Sequence, residues 1–254
     1  MILAIDIGNT NVTLGVYKDD NFILTARLAT ETGRTSDQYA IDIKDVLSLH
    51  GEDYTNIEGC IISSVVPAVG DAVVCAINDL CGIKPMVLGP GLKTGLNIKI
   101  DNPAQLGADL VAGAVGALAK YPTPCIVIDM GTATTISLLG EKGEMLGGAI
   151  AAGVRLTLKA LFENTAQLPS VNIEAPASVI GTNTVDCMKS GLVFGAASMI
   201  DGLVGRIEEE KGKIKTVVAT GGLSKEIIRH CKYDIIYDKN LLLDGLLTIY
   251  KKNI

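Results

Sequence analysis

The chain has 254 residues, of which 48% are hydrophobic and 20% are charged, and this composition is typical of a compact globular protein rather than a disordered or fibrous one. Its formal net charge of −6 provides no general attraction for nucleic acid or for an anionic membrane surface. We therefore expect a small-molecule ligand and no nucleic-acid or membrane partner, and the absence of a basic, signal-like N-terminal region predicts a cytoplasmic protein.

The first half opens on two β-rich runs joined at a glycine. The run MILAID ends in Asp6, the turn contains Gly8, and NVTLGVY follows, which predicts a strand, a tight turn and a returning strand. A turn signal then leads to a third strand at 22–28. Hydrophobic periodicity predicts further strands and helices, ending with a helix after Pro103. The helices are expected at 36–50 and 68–80 and the strands at 58–65 and 85–89.

The second half repeats this plan at an offset of 123 residues. The run PCIVID ends in Asp129, the turn contains Gly131, ATTISLLG returns, and a third strand is expected at 145–150. The later segments predict helices at 154–166, 183–210, 225–231 and 240–250, with strands at 215–222 and 234–237. We therefore predict an α/β fold of two duplicated lobes, with domains at 1–120 and 121–254.

The two glycine turns have the composition of phosphate-binding loops. Glycine permits tight backbone geometry, so that successive main-chain N–H groups can surround an anion. An acid beside a phosphate loop requires a cation between them, which indicates Mg²⁺ carried by ATP. The alternative for either turn is a simple hairpin. A third glycine signal at 220–222 could accept a nucleoside, or could be a helix entry capped by Ser224.

Seven short motifs, taken in order and spacing, resemble the type III pantothenate kinases, within the actin-like, sugar-kinase and acetate-kinase superfamily. They are DIGNTN, SSVVP, NPAQLGAD, DMGTATT, TAQLP, IGTNT and SGLVFG. The resemblance implies two duplicated ribonuclease H-like lobes with a nucleotide cleft between them. It also implies that ATP and pantothenate give ADP and 4′-phosphopantothenate, the first step of coenzyme A biosynthesis, in a homodimer.

The resemblance also implies which residues form the site. It places a potassium or ammonium ion at Asp129, Mg²⁺ through ATP at Asp6, and the catalytic base at Asp109. The ATP contacts would be Asp6, Ile7, Gly8, Asn9, Thr10, Asn11, Val12, Thr13 and Thr132. The substrate contacts would be Ile100, Gly107, Ala108, Asp109, Leu110 and Thr184.

Two departures from the family pattern fall among these substrate contacts. Leu110 stands where an arginine is usual, and Ile100 and Asp101 precede the Asn-Pro pair where a tyrosine is usual. Leucine cannot replace the guanidinium fork that pairs with a carboxylate. Two alternatives therefore stay open: a kinase of this fold for a different primary alcohol, or a non-catalytic nucleotide-binding regulatory paralogue.

The helix that contains Asp109 raises two further questions. An aspartate at a helix start could be a capping residue as well as a base. Gly107, Gly113 and Gly116 are each unfavourable in a helix by about 1 kcal/mol relative to alanine, which predicts the close approach of another backbone, from the other lobe or from a partner subunit.

Overall fold

The computed structural model describes residues 1–254 and divides them into two compact units. Unit 1 contains Met1–Leu96, Asp101–Ala119 and Leu241–Ile254, and unit 2 contains Asn97–Ile100 and Lys120–Asn240. The division between Ala119 and Lys120 lies next to the predicted domain boundary. The structure differs from a single cut in two places, because the C-terminal segment belongs to unit 1 and residues 97–100 belong to unit 2.

The strands and helices follow the predicted order along the chain, with one additional strand at Asn97–Ile98. The strands are β1 (Ile2–Ile7), β2 (Asn11–Lys18), β3 (Asn21–Ala29), β4 (Gly59–Ser64), β5 (Met86–Val87), β6 (Asn97–Ile98), β7 (Cys125–Met130), β8 (Ala133–Leu139), β9 (Glu144–Ala152), β10 (Thr216–Thr220) and β11 (Ile236–Tyr237). The helices are α1 (Ser36–Leu49), α2 (Pro67–Cys81), α3 (Ala108–Lys120), α4 (Val154–Glu163), α5 (Thr184–Lys211), α6 (Ser224–Ile228) and α7 (Leu241–Lys251).

The sheet of unit 1 has the strand order β3-β2-β1-β4-β5. Its central strand β1 is antiparallel to β2 and parallel to β4. One face carries Leu3, Ile5 and Ile7, which lie in a buried cluster with Tyr39 of α1 and Ile77 of α2. Helix α7 covers the opposite face. The alternation of side chains along β1 therefore directs its odd residues to α1 and α2 and its even residues to α7.

Unit 2 repeats this sheet with β7 at the centre. Its strand order is β11-β10-β7-β8-β9-β6, in which β7 is antiparallel to β8 and parallel to β10. The predicted three-strand meander is thus confirmed in both halves. Strand β6 is an additional edge strand on β9, and only two of its residues pair, too few to form a hydrophobic pattern in the sequence.

Local sequence signals explain where several helices begin and end. Thr35 and Gln38 form a capping box at the start of α1. Helix α2 begins at Pro67 and ends before Gly82, which has a φ of 68°. Helix α4 ends at Glu163 instead of 166, because the Asn164 and Thr165 side chains donate hydrogen bonds to carbonyl groups of its last turn.

Helix α5 is long and apolar enough to cross a membrane by length and composition alone. Its buried residues, including Leu192, Val193 and Ile200, contribute to the core of unit 2. The core helices of soluble proteins meet the same criterion, so this single helix is weak evidence for a membrane span.

Helices α3 and α7 approach each other backbone to backbone within unit 1. A Cβ at Gly116 would overlap the Leu241 carbonyl oxygen, and a Cβ at Gly245 would overlap the Ala112 carbonyl oxygen. The expected close approach at Gly116 is therefore confirmed. The approaching backbone is the C-terminal helix, which the sequence analysis placed in the second lobe and the structure assigns to unit 1, so the contact lies within one unit and not with a partner subunit.

We expect Gly245→Ala to lower the free energy of unfolding by about 1–3 kcal/mol, because the added methyl forces two helix backbones apart. The matched control is Gly202→Ala in α5, where a Cβ would meet nothing within 4 Å. This control is expected to raise stability by up to about 1 kcal/mol through helix propensity. Urea denaturation measures both changes, and equal values for the two variants would contradict the close contact.

Candidate active site

The first glycine turn, residues 8–10, joins β1 to β2 and is held by main-chain bonds. The Gly8 N–H donates to the Asn11 carbonyl oxygen at 3.0 Å. Thr30, just after β3, donates its hydroxyl to the Gly8 carbonyl at 2.7 Å and its N–H to the Thr10 carbonyl at 3.1 Å. Asn9, Thr10 and Asn11 are exposed. The turn therefore has a fixed backbone and presents polar side chains to solvent, as an anion-binding loop requires.

The second glycine turn, residues 131–132, has the equivalent place between β7 and β8. The Gly131 N–H donates to the Ala133 carbonyl oxygen at 3.0 Å, and the Gly153 N–H donates to the Thr132 carbonyl oxygen at 3.0 Å. A Cβ at Gly153 would overlap the carbonyl oxygens of Thr132 and Gly131. The start of α4 therefore packs directly on this turn, which only a glycine permits.

Each of the two strand-end aspartates pairs with a hydroxyl-bearing residue on both sides. Asp6 is in register with Thr13 of β2 and Ser63 of β4. Register partners on adjacent strands project from the same face of a sheet, with side chains about 5 Å apart. The sequence analysis did not single out Ser63, although it lies in the SSVVP motif.

Unit 2 repeats this arrangement around Asp129. Its register partners are Thr135 of β8 and Thr220 of β10. Thr220 belongs to the third glycine signal at 220–222, but its place beside Asp129 was not predicted; superimposing the two halves of the repeat would have found it, because β10 takes the place of β4. Both carboxylates thus lie among oxygen groups, which are the ligands that hard cations prefer.

The third glycine signal lies close to the second turn. Gly221 has a φ of +98°, and a Cβ there would lie 2.6 Å from the Met130 carbonyl oxygen and 2.8 Å from Asp129 Oδ1. The capping alternative for Ser224 is wrong, because its hydroxyl donates to the Thr220 carbonyl and α6 has no side-chain cap. Gly222, in contrast, has open space around it.

Asp109 lies in the first turn of α3 and does not cap it. The helix begins at Ala108, so Asp109 is its second residue. Its Oδ1 accepts a hydrogen bond from the Leu110 N–H at 2.8 Å, and a Cβ at Gly107 would overlap this same oxygen. The glycine and the amide therefore fix the carboxylate, and this arrangement leaves Oδ2 available to a ligand.

The remaining predicted substrate contacts do not lie in one segment. Ala108 and Leu110 share the first turn of α3 with Asp109, Gly107 immediately precedes the helix, and all are partly buried. Ile100 belongs to unit 2, just after β6. Thr184 is the exposed first residue of α5, next to Asn183, whose side chain accepts from the Asp186 N–H. The structure thus groups residues 107–110 and places the other two on separate elements of unit 2.

Thr184 lies among exposed apolar side chains of unit 2. Residues 179–181 are held on the start of α5, because the Ser190 hydroxyl donates to the Val179 carbonyl at 2.5 Å and the Cys187 thiol donates to the Gly181 carbonyl at 3.3 Å. Large apolar side chains close to Thr184 in the chain are exposed to solvent: Val179, Ile180 and Val185. We call these three residues the apolar patch.

The duplicated sheets are the fold of actin-like and sugar-kinase ATPases. Component A of the (R)-2-hydroxyglutaryl-CoA dehydratase of Acidaminococcus fermentans is similar, with a TM-score of 0.59 at 19% identity over 98% of this chain and 96% of that chain. The inorganic polyphosphate/ATP-glucomannokinase of an Arthrobacter strain has a TM-score of 0.50 at 13% identity over 98% and 97%. At these identities the likeness shows the fold alone.

Sequence comparison defines the family within this fold. The family model described as type III pantothenate kinase matches residues 2–206. A type III pantothenate kinase of Halalkalibacterium halodurans is 43% identical over 254 residues, which cover all of both chains. This chain therefore belongs to the type III pantothenate kinase family.

Substitutions at the adjacent Gly221 and Gly222 test two different properties: the backbone conformation of this loop and its expected contact with a nucleotide. We expect Gly221→Ala to lower the free energy of unfolding by about 1–3 kcal/mol, because alanine is strained at a positive φ and would press on the Met130 carbonyl. Gly222→Ala is expected to keep wild-type stability and, if a nucleoside rests on this backbone as the sequence predicts, to weaken ATP binding, since a methyl would cover that backbone. Calorimetric ATP titration and thermal unfolding test both variants, and normal ATP binding by Gly222→Ala would contradict the nucleoside contact.

Proposed function

We propose that this chain catalyses the ATP-dependent phosphorylation of pantothenate to 4′-phosphopantothenate in the cytoplasm, which opens coenzyme A biosynthesis. The observation that carries the proposal is the full-length family match, with relatives at 40–43% identity that bear this activity in their names. Intact glycine turns in both units and the ordered carboxylate of Asp109 support it.

The proposed ATP contacts are residues 6–13 and Thr132. Main-chain N–H groups and the exposed side chains of the first glycine turn suit phosphate oxygens. Mg²⁺ usually keeps several waters and binds through one or two carboxylates together with substrate phosphates. The carboxylate of Asp6, with hydroxyls on both neighbouring strands, fits this donor chemistry. When bound, Mg²⁺ would neutralise the phosphate charge.

A monovalent cation, potassium or ammonium, would be held at Asp129. Its support is the same donor chemistry, since the register places hydroxyls of Thr135 and Thr220 on either side of the carboxylate. The turn that follows this strand carries Thr132, the proposed ATP contact of unit 2. A cation here would lie beside the second glycine turn and reduce repulsion between Asp129 and nucleotide phosphates.

Asp109 would act as the base for the acceptor alcohol. The oxygen of the pantothenate hydroxyl forms a bond to the γ-phosphorus, the bond from that phosphorus to the bridging oxygen of ADP breaks, and the hydroxyl proton passes to Asp109. Such transfer depends mainly on alignment and charge neutralisation, so a carboxylate held by the Leu110 N–H and packed against Gly107 is suited to it. Ile100, Gly107, Ala108, Leu110 and Thr184 would contact the acceptor.

We expect Asp109→Asn to lower kcat by at least about a hundredfold, because general-base catalysis typically contributes that much. The asparagine keeps an oxygen for the Leu110 N–H, so the thermal midpoint should stay that of the wild type. Coupled ADP release with pantothenate measures the rate. A wild-type protein that turns over another primary alcohol faster than pantothenate, or turns over none, would contradict the proposed acceptor.

The chain would form a homodimer through the apolar patch. A cluster of exposed apolar side chains marks an interaction site on a soluble protein. The three patch residues lie on the segment held against the start of α5 and on α5 itself. Thr184, a proposed acceptor contact, is next to patch residue Val185. A dimer interface here would therefore border the acceptor site.

We expect Ile180→Glu to convert the dimer to a monomer, because it would bury a charge in an apolar interface. Leu49→Glu is the matched control, since Leu49 is equally exposed but lies at the end of α1 in unit 1. Light scattering during size-exclusion chromatography reports the mass of each variant. A wild-type monomer, or a dimer that persists in Ile180→Glu, would overturn this interface.

A further inference from the structure

Ser63 carries a buried hydroxyl that has no hydrogen-bond partner in the folded protein. The residue is completely buried, and its Oγ makes no hydrogen bond. An unsatisfied buried polar group lowers the stability of the folded state. The next residue, Ser64, is different, because its hydroxyl bonds to both the carbonyl and the N–H of Val66.

Neighbouring contacts establish which way the Ser63 side chain faces. On the same strand, Gly59 lies against Tyr250 of α7, and Ser63 follows it by four residues, on the same side of the pleat. On β2, Gly15 packs on Leu243 of α7 and Tyr17 donates a hydrogen bond to Asp244 at 2.7 Å. Thr13 shares that side.

Asp6 is the strand neighbour of both Thr13 and Ser63, so its carboxylate lies on this same face. The three side chains form a row across β2, β1 and β4 at the end of the sheet where the first glycine turn begins. Ser63 thus places a hydroxyl beside the acid that the proposed function assigns to the divalent cation.

Unit 2 contains a comparable hydroxyl. Thr135 is the register partner of Asp129, and its buried Oγ1 makes no hydrogen bond. It comes from the antiparallel neighbour of the central strand, whereas Ser63 comes from the parallel neighbour. Both units therefore have an unsatisfied hydroxyl beside a strand-end aspartate. The hydroxyl comes from a different neighbouring strand in each unit.

We propose that Ser63 is a positioning residue for the hydrated divalent cation that accompanies ATP. Its hydroxyl, together with the Asp6 carboxylate, holds the water shell of that cation at the first glycine turn. Mg²⁺ retains coordinated water, and a hydroxyl can either donate to or accept from such water. The inference rests on the proposed placement of the cation at Asp6, and the hydrogen bond that Ser63 lacks in the free protein forms when Mg²⁺ and ATP bind.

The test compares Ser63→Ala with Thr25→Val and Asp6→Asn in the full chain. Thr25 is a matched control, because its buried Oγ1 also has no hydrogen bond, but it lies on β3 opposite Gly15, two strands from Asp6. Thermal unfolding of the free proteins, calorimetric titration of ATP with and without Mg²⁺, and steady-state kinetics are measured for each variant.

Ser63→Ala and Thr25→Val should both keep or raise the thermal midpoint of the free protein, because each removes an unsatisfied buried hydroxyl. Only Ser63→Ala should weaken ATP binding in the presence of Mg²⁺, by about tenfold to a hundredfold, the range seen when a partner of a metal ligand is removed. Its binding of ATP without Mg²⁺ should not change. The KM for Mg·ATP should rise, and the KM for pantothenate should not.

Wild-type Mg·ATP affinity in Ser63→Ala would overturn the inference, as would a lowered midpoint of the free variant, which would make the hydroxyl structural. Asp6→Asn separates failure of the role of Ser63 from failure of the cation placement at Asp6. If Asp6→Asn loses Mg·ATP affinity and Ser63→Ala does not, the role of Ser63 fails alone. If neither loses affinity, the proposed cation placement at Asp6 fails with it.

Discussion

The mixed pairing of the central strand in each sheet is the constraint on which the candidate site depends. Strand β1 is antiparallel to β2, which returns through a tight turn, and parallel to β4, which arrives through a helical crossover. The end of β1 therefore meets a hairpin turn on one side and the end of a parallel strand on the other. An acid at this position lies beside a tight glycine turn and among side chains from two other strands. Strand β7 has the same surroundings.

Glycines without side chains determine how closely the elements around the central strands pack on one another. In unit 2, the start of α4 lies on the second turn because Gly153 has no side chain, and Gly221 brings a third loop against Met130 and Asp129. In unit 1, Gly116 and Gly245 let α3 and α7 pack without intervening side chains. Helix α7 is separated from the rest of unit 1 by the residues of unit 2, so unit 1 is complete only when residues 241–254 join it. Asp109 is carried by the helix that α7 supports.

Much of the fold could be predicted because many of its elements follow from patterns among residues close together in the sequence. The alternation of β1 and β2, the turn at Gly8 and the capping box of α1 are properties of neighbouring residues, and the duplication exposed both meanders. Strand β6 could not be predicted, because two residues make no pattern and it exists only through β9. The unit to which α7 belongs depends on contact between residues more than a hundred positions apart, for which one sequence carries no local signal.

The sequence by itself determined the family, the two aspartates with their glycine turns, and the segment that contains Asp109, because these are contiguous motifs whose chemistry depends on residue type and spacing. Only the tertiary structure decided that Asp109 lies within the first turn of α3 rather than capping it, that Gly116 meets α7, and that Ser63 stands beside Asp6 without a hydrogen-bond partner. The physical reason is strand register. Pairing across a sheet brings side chains 57 positions apart onto one face, and no local pattern in the chain records which pairs will meet.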